Sequence, residues 1–255
     1  MTVFNTKICP KSLQVSFIKE LFFVNTMNKL KIGFYSFTAC EGCQIMLINS
    51  KELFGELNEY IDLIRLPIIQ EYNSNGPFDA VFVEGAITTK EQIKEVKEVR
   101  KKSEYLIALG TCATFGGISA TRNLKDNFHK TKSYKDFHFL ENIEVNTLDR
   151  HVRVDYNIRG CPPTKEEFVH VVKEIYNDRL PEEYDMAVCK ECRAKRNPCL
   201  LGKGKDCLGP VTHGGCGALC PSKGIKCYGC RGPVSKPEKV DFLVNLFEKR
   251  GLSNE

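Results

Sequence analysis

Twelve of the thirteen cysteines in this chain fall into two groups, and that distribution constrains the fold more than any other feature. Cys40 and Cys43 follow an apolar strand pattern in KIGFYSFTACEGC, Cys112 ends a second in YLIALGTC, and Cys161 lies in RGCPP. Eight more crowd into the 42 residues that begin at Cys189 and continue through Cys192, Cys199, Cys207, Cys216, Cys220 and Cys227 to Cys230. After Pro181 the sequence is rich in Cys, Gly, Pro and Lys and poor in large apolar side chains. A segment such as 189–233 cannot bury enough hydrophobic surface to fold unaided, so bound metal must supply the missing stabilisation. Four thiols spread over a folded domain, then eight in a short one, match one four-cysteine iron–sulfur cluster plus two more.

Other sulfur chemistries compete with that reading. Cysteine makes up about 5% of the chain, below the ~8–10% of a disulfide scaffold. The first 28 residues contain SFIKELFFV, an apolar stretch interrupted by Lys19 and Glu20, without a twin-arginine pattern or a small-residue cleavage site. With Met27 just before the first strand, residues 1–26 read as a frayed extension or an overlong start, and Cys9 as an idle thiol. No apolar run approaches the ~18 residues of a membrane span, so a reducing, cytoplasmic location is expected. Zinc is the stronger rival, because Cys189-x2-Cys192 and Cys227-x2-Cys230 are also zinc spacings. Against it, Cys216-x3-Cys220-Pro221 repeats the end of the two-cluster ferredoxin run. There the cysteine before proline serves the other cluster, so the eight are not expected to pair simply as first four and last four, and spacing does not fix the pairing. For the first group, the alternative is a redox CxxC with Cys112 and Cys161 as bystanders.

Charge follows the same division. From Ala187 to Lys236 ten Lys and Arg stand against Glu191 and Asp206, a local +8 in a chain of net charge +5. A basic stripe suggests nucleic acid, but two thiolate-held clusters of about −2 each cancel roughly half of the excess.

Along residues 29–112 strand and helix patterns alternate. Strands are expected at Lys31–Phe37, Ile61–Pro67, Asp79–Ala86 and Tyr105–Thr111, with helices at Gln44–Leu57 and Thr89–Lys102. A short strand at Arg153–Ile158 and a helix at Lys165–Tyr176 follow, and residues 121–150 read as loop with short helix. Such alternation predicts an α/β fold with a doubly wound parallel sheet, whose ligands gather beyond the carboxyl ends of the strands. Cys40, Cys43, Cys112 and Glu84 all fall at such ends. Glu84 is either a solvated turn acid or a group that tunes a cluster or relays a proton. His213 reads as a basic surface residue. Residues 237–249 predict an amphipathic helix with a Val240, Leu243, Val244 and Phe247 stripe. The expected divisions are 1–28 extension, 29–185 sheet domain, 186–236 two-cluster domain and 237–255 terminal helix.

The motifs CEGC (40–43), VEG (83–85), GTCATFGG (110–117) and GCPP (160–163) resemble the small subunit of nickel–iron hydrogenases. The runs VCKEC (188–192), CLGPVTHGGCGALCP (207–221) and CYGCRGP (227–233) are most similar to the delta subunit of cytoplasmic sulfhydrogenases. The related subunit of complex I is a weaker match, with adjacent cysteines in place of CxxC and no eight-cysteine tail. The resemblance implies a flavodoxin-like domain with a ferredoxin-like appendage. Cys40, Cys43, Cys112 and Cys161 would hold a proximal 4Fe–4S cluster, and the eight tail cysteines a medial and a distal one. Nickel and iron of the catalytic centre would belong to a large subunit, and FAD and NAD(P) to flavin and iron–sulfur acceptor subunits. Oxygen-tolerant relatives carry extra cysteines near the proximal cluster; here Gly42 separates Glu41 from Cys43 and none is spare, which implies an oxygen-sensitive centre. The chain has no Gly-x-Gly-x-x-Gly fingerprint, so the nucleotide binds elsewhere. The alternatives are the same relay feeding a methyl-viologen- or deazaflavin-reducing module, a standalone electron carrier, or a zinc-stabilised basic module that binds nucleic acid.

Overall fold

Five strands form one parallel sheet in the computed structural model, which describes residues 29–50, 55–124, 144–235 and 240–251. They are β1 (Leu30–Ser36), β2 (Ile61–Arg65), β3 (Phe78–Glu84), β4 (Ser103–Leu109) and β5 (Tyr156–Ile158), in the order β2-β1-β3-β4-β5. This is the flavodoxin-like order, whose chain reversal leaves a crevice at the carboxyl ends of β1 and β3. The extension expected at 1–28, with Cys9 and Met27, lies outside the described residues, as do 125–143 of the stretch read as loop.

Side chains alternate across the sheet and make two apolar layers. On one face Phe34 of β1, Phe82 of β3 and Phe168 stack, with ring centroids 5.3 Å apart between the first pair and 4.7 Å between the last. Helices α1 (Gly42–Ile48) and α4 (Lys165–Tyr176) cover that face through Leu47, Val171, Val172 and Ile175. On the other, Val81, Val83 and Leu106 meet Val96 and Val99 of α2 (Lys90–Lys101). Burial on both faces explains why these strands read as continuous apolar runs. Thr89 and Thr164 start α2 and α4 by accepting the Gln92 and Glu167 amide hydrogens at 3.2 and 3.3 Å.

Two expected elements differ. The fourth strand ends at Leu109, because Gly110 adopts φ +82° and turns the chain into a short helix α3 (Gly110–Phe115). Cys112 therefore sits on a helix one turn beyond the strand. The helix expected over Gln44–Leu57 stops at Ile48; residues 51–54 lie outside the described set and 55–57 are helical again.

Beyond Pro181 no strand among the described residues joins the sheet. The tail has two short helices, α5 (Val188–Ala194) and α6 (Leu219–Ser222), around a core of Val188, Leu200, Cys207, Ala218 and Cys227. Two of those five are cysteines, which bears out the scarcity of apolar side chains. The terminal helix α7 (Val240–Glu248) packs through Leu243 and not through the whole expected stripe, since Val240 and Val244 face outward. Among the described residues no helix is long and apolar enough to cross a membrane.

Candidate metal centre

The carboxyl ends of the strands bring the first four cysteines together. Cys40 and Cys43 enter from the loop after β1 and the first turn of α1, and Cys112 from α3. Cys161 arrives on the turn after β5, which is tied to α3 by a hydrogen bond from the Thr111 amide to the Gly160 carbonyl at 2.9 Å. The thiols sense one another. Burial raises the pKa of Cys112 first, and the nearby Cys161 and Cys40 raise it further. Cys161 is raised by burial, then by Cys40 and by Cys230 of the tail. Cys43, the most enclosed, is pushed well above the ordinary thiol range by burial and then by Glu84. Without metal these sulfurs keep their protons, so metal binding must displace them and is favoured by higher pH.

Glu84 is not a solvated turn acid. It is 2% exposed, and its oxygens accept the amide hydrogens of Cys43 at 3.1 Å and Gln44 at 3.3 Å. The Gln44 side-chain amide also donates to it at 3.3 Å and to Glu41 at 2.7 Å, and Glu41 accepts from Ser36 Oγ at 2.5 Å. These three polar partners were not singled out by the sequence; the polar run Glu41–Gln44 flanking CxxC was the available signal.

In the tail, Cys189, Cys192, Cys199 and Cys207 line one cavity of about 450 Å³, with Leu200, Leu201 and Pro210. Burial raises the Cys189 thiol to about 11, with Cys207, Cys192 and Cys199 contributing. Cys220 responds to Cys230 and Cys216. Cys189, Cys192, Cys199 and Cys207 thus share one cavity, while Cys220, Cys216 and Cys230 lie near one another. Cys207 joins the sets, its sulfur accepting the Cys227 amide hydrogen at 3.4 Å.

Glu191, between Cys189 and Cys192, braces the second set by accepting the Gly215 and Ala218 amide hydrogens at 2.7 and 3.0 Å. His213 is buried and not on the surface; its Nδ1 hydrogen bonds the Gly214 carbonyl at 3.0 Å, and burial lowers its pKa.

Two observations test the fit to iron–sulfur clusters. At Gly110 a Cβ would overlap the Cys43 sulfur, and at Gly209 it would stand 3.3 Å from Cys189 Sγ and 3.5 Å from Cys207 Sγ. The backbone thus hugs the thiols where side chains would exclude a bulky group. Thiol sets held against so close a backbone are the donor chemistry that a four-cysteine cluster requires. The residues fit.

A family model described as NADH ubiquinone oxidoreductase, 20 Kd subunit, matches residues 40–175, which hold β2 to β5 and Cys40, Cys43, Cys112 and Cys161 but neither β1 nor the tail. The chain is 34% identical over 206 residues to sulfhydrogenase 2 subunit delta of Pyrococcus furiosus, covering 80% of this chain and 86% of that one. It is 31% identical over 239 residues to a vhu subunit of the F420-non-reducing hydrogenase of Methanocaldococcus jannaschii, covering 81% and 83%. A crystal structure of the Ni-Fe-Se hydrogenase from Desulfomicrobium baculatum shares the fold, with a TM-score of 0.56 at 19% identity over 86% of this chain and 99% of that one.

Proposed function

This chain belongs to the family of the 20 Kd subunit of NADH ubiquinone oxidoreductase, among its hydrogenase members, and from that premise we propose that it is the electron-transfer subunit of a multisubunit nickel–iron hydrogenase. It contains iron–sulfur clusters and pairs with a large subunit, where hydrogen is split. In the fuller reading, Cys40, Cys43, Cys112 and Cys161 hold a proximal 4Fe–4S cluster. Cys216, Cys220, Cys227 and Cys230 hold a medial one, and Cys189, Cys192, Cys199 and Cys207 a distal one. Residues 29–185 and 186–236 are then the flavodoxin-like and ferredoxin-like domains. Bound there, the clusters would carry single electrons between the partner's nickel–iron centre and an NAD(P)-linked flavin and iron–sulfur module in the cytoplasm.

The observation that carries this reading is the meeting of four cysteines from three separate strand ends over the Glu84 carboxylate. Cys40 and Cys161 are exposed at that rim. Exposed Ile45 and Ile118 lie on α1 and just beyond α3, the elements that carry Cys43 and Cys112, which supports a partner covering this edge. The proximity of Cys230 to Cys161 supports the last four cysteines as the next station.

The test is anaerobic purification of the native complex, with iron, sulfide, nickel and zinc analysis and identification of co-purifying chains. Twelve irons and twelve sulfides per chain are expected for three four-iron clusters, together with a nickel-containing partner. Stoichiometric zinc, or a colourless product, would overturn the proposal.

A further inference from the structure

Three consecutive residues of the tail grip the sheet at the point where the two cysteine groups approach. The Cys230 carbonyl accepts the hydroxyl hydrogen of Thr111, the residue before Cys112. Gly232 lies flat against Phe115 of α3, where a Cβ would stand 2.5 Å from the ring. Between them Arg231 is 2% exposed, the largest fully buried side chain among the described residues. Its Nη1 and Nη2 donate to the two Glu167 oxygens of α4, each at 2.9 Å. Nε donates to the Gly214 carbonyl at 2.5 Å, and Nη1 also to the Arg159 carbonyl at 2.5 Å. Arg159 lies two residues before Cys161.

One guanidinium therefore ties the chain next to Cys161, the helix behind it and the Gly214 segment of the tail to the residue that follows Cys230. Glu167 neutralises its charge, so its effect on neighbouring sulfurs is geometric and not a field. A buried pair of this kind is weak grounds for stability, because desolvation offsets the attraction; its value is the fixed, two-pronged geometry. Lysine cannot reproduce it, being a point charge without the planar fork.

Resting on the relay reading above, we propose that Arg231 and Thr111 are positioning residues that fix the gap between the Cys161 and Cys230 sites and so set the rate of the electron step between them. Neither residue touches the reacting atoms; they act through the backbone that carries the ligands. Electron tunnelling falls off steeply with separation, so a small relaxation at this seam is felt in the rate.

The test compares Arg231→Lys, Glu167→Gln and Thr111→Val in the whole hydrogenase complex. Iron and sulfide content and the paramagnetic spectra of the reduced clusters establish loading. Magnetic interaction between neighbouring clusters, and freeze-quenched reduction by hydrogen, report their separation and the inter-cluster rate. Expected are full loading, weakened spin–spin splitting and a several-fold fall in the inter-cluster rate. A loaded variant of Arg231 or Thr111 with unchanged splitting and rate overturns the proposal. If Arg231→Lys does not assemble, Thr111→Val, which removes one hydroxyl at constant shape, decides it. Loss of the Cys230 cluster in all three variants assigns these residues to assembly and overturns it as well. Absence of clusters from the unaltered complex would instead sink the relay reading itself.

Discussion

Glu84 accepts the amide hydrogen of Cys43 at 3.1 Å, so the last residue of β3 holds the first turn of the helix that carries a candidate ligand. The carboxylate acts only as an acceptor here, and it is enclosed. Replacing it with Gln keeps the shape and one acceptor but removes charge beside the proximal site. The expected result for Glu84→Gln is a loaded site with a more positive midpoint potential, since less negative charge favours the reduced cluster. A spectroscopically followed redox titration checks this; an unchanged potential would count against a tuning role.

Cys112 reaches the site from α3, the helix stapled both to the Gly160 turn and to the tail at Cys230. Cys112→Ser should damage the proximal cluster and reduce hydrogen-linked electron transfer by more than the ~10–100-fold typical of residues that merely support a ligand. Activity of the partner measured by hydrogen-isotope exchange should fall much less. Full acceptor-linked activity would refute the ligand assignment.

Arg250 fastens the end of α7 to the loop beside the distal cavity, donating to the Leu201 carbonyl at 2.9 Å and the Lys205 carbonyl at 3.1 Å. Phe242 and Leu246 of the same helix line that cavity. A hydrogen bond to a charged group contributes about 1.5–3 kcal/mol. Arg250→Ala should loosen α7 by an amount of that order, seen as faster amide exchange over 240–251 and quicker bleaching of clusters in air. Exchange equal to that of the unaltered protein would show that the helix is held by Leu243 alone.

His213 supplies a pH dependence. Burial depresses its pKa below 6.5, so the folded tail favours the neutral ring. Its contribution to stability is complete above pH 6.5 and is lost as the pH falls through the lower folded value, because the unfolded chain takes up the proton first. Thermal release of iron should therefore accelerate as the pH falls below 6.5 in the unaltered protein. The His213→Gln variant should lose part of that acceleration. Identical pH profiles would remove His213 from the account.

The sheet was legible because its strands are short apolar runs separated by charged helices with regular spacing, and the Thr-led starts of α2 and α4 mark themselves. The two cysteine groups stood out because their positions coincide with strand ends and with an apolar-poor tail. What the sequence hid is of another kind. The helix α3 follows from one positive φ at Gly110, which no periodicity signals. The buried positions of His213 and Arg231 depend on tertiary closure of a tail whose composition looks like a solvated basic surface. The shared cavity of Cys189, Cys192, Cys199 and Cys207 likewise depends on how the tail closes and not on spacing alone.

Cys40 and Cys161 sit at an open rim, while Cys43 and Glu84 behind them are almost wholly enclosed. Any protein docked across that edge would therefore wall off from solvent sulfurs that the isolated chain leaves half in reach.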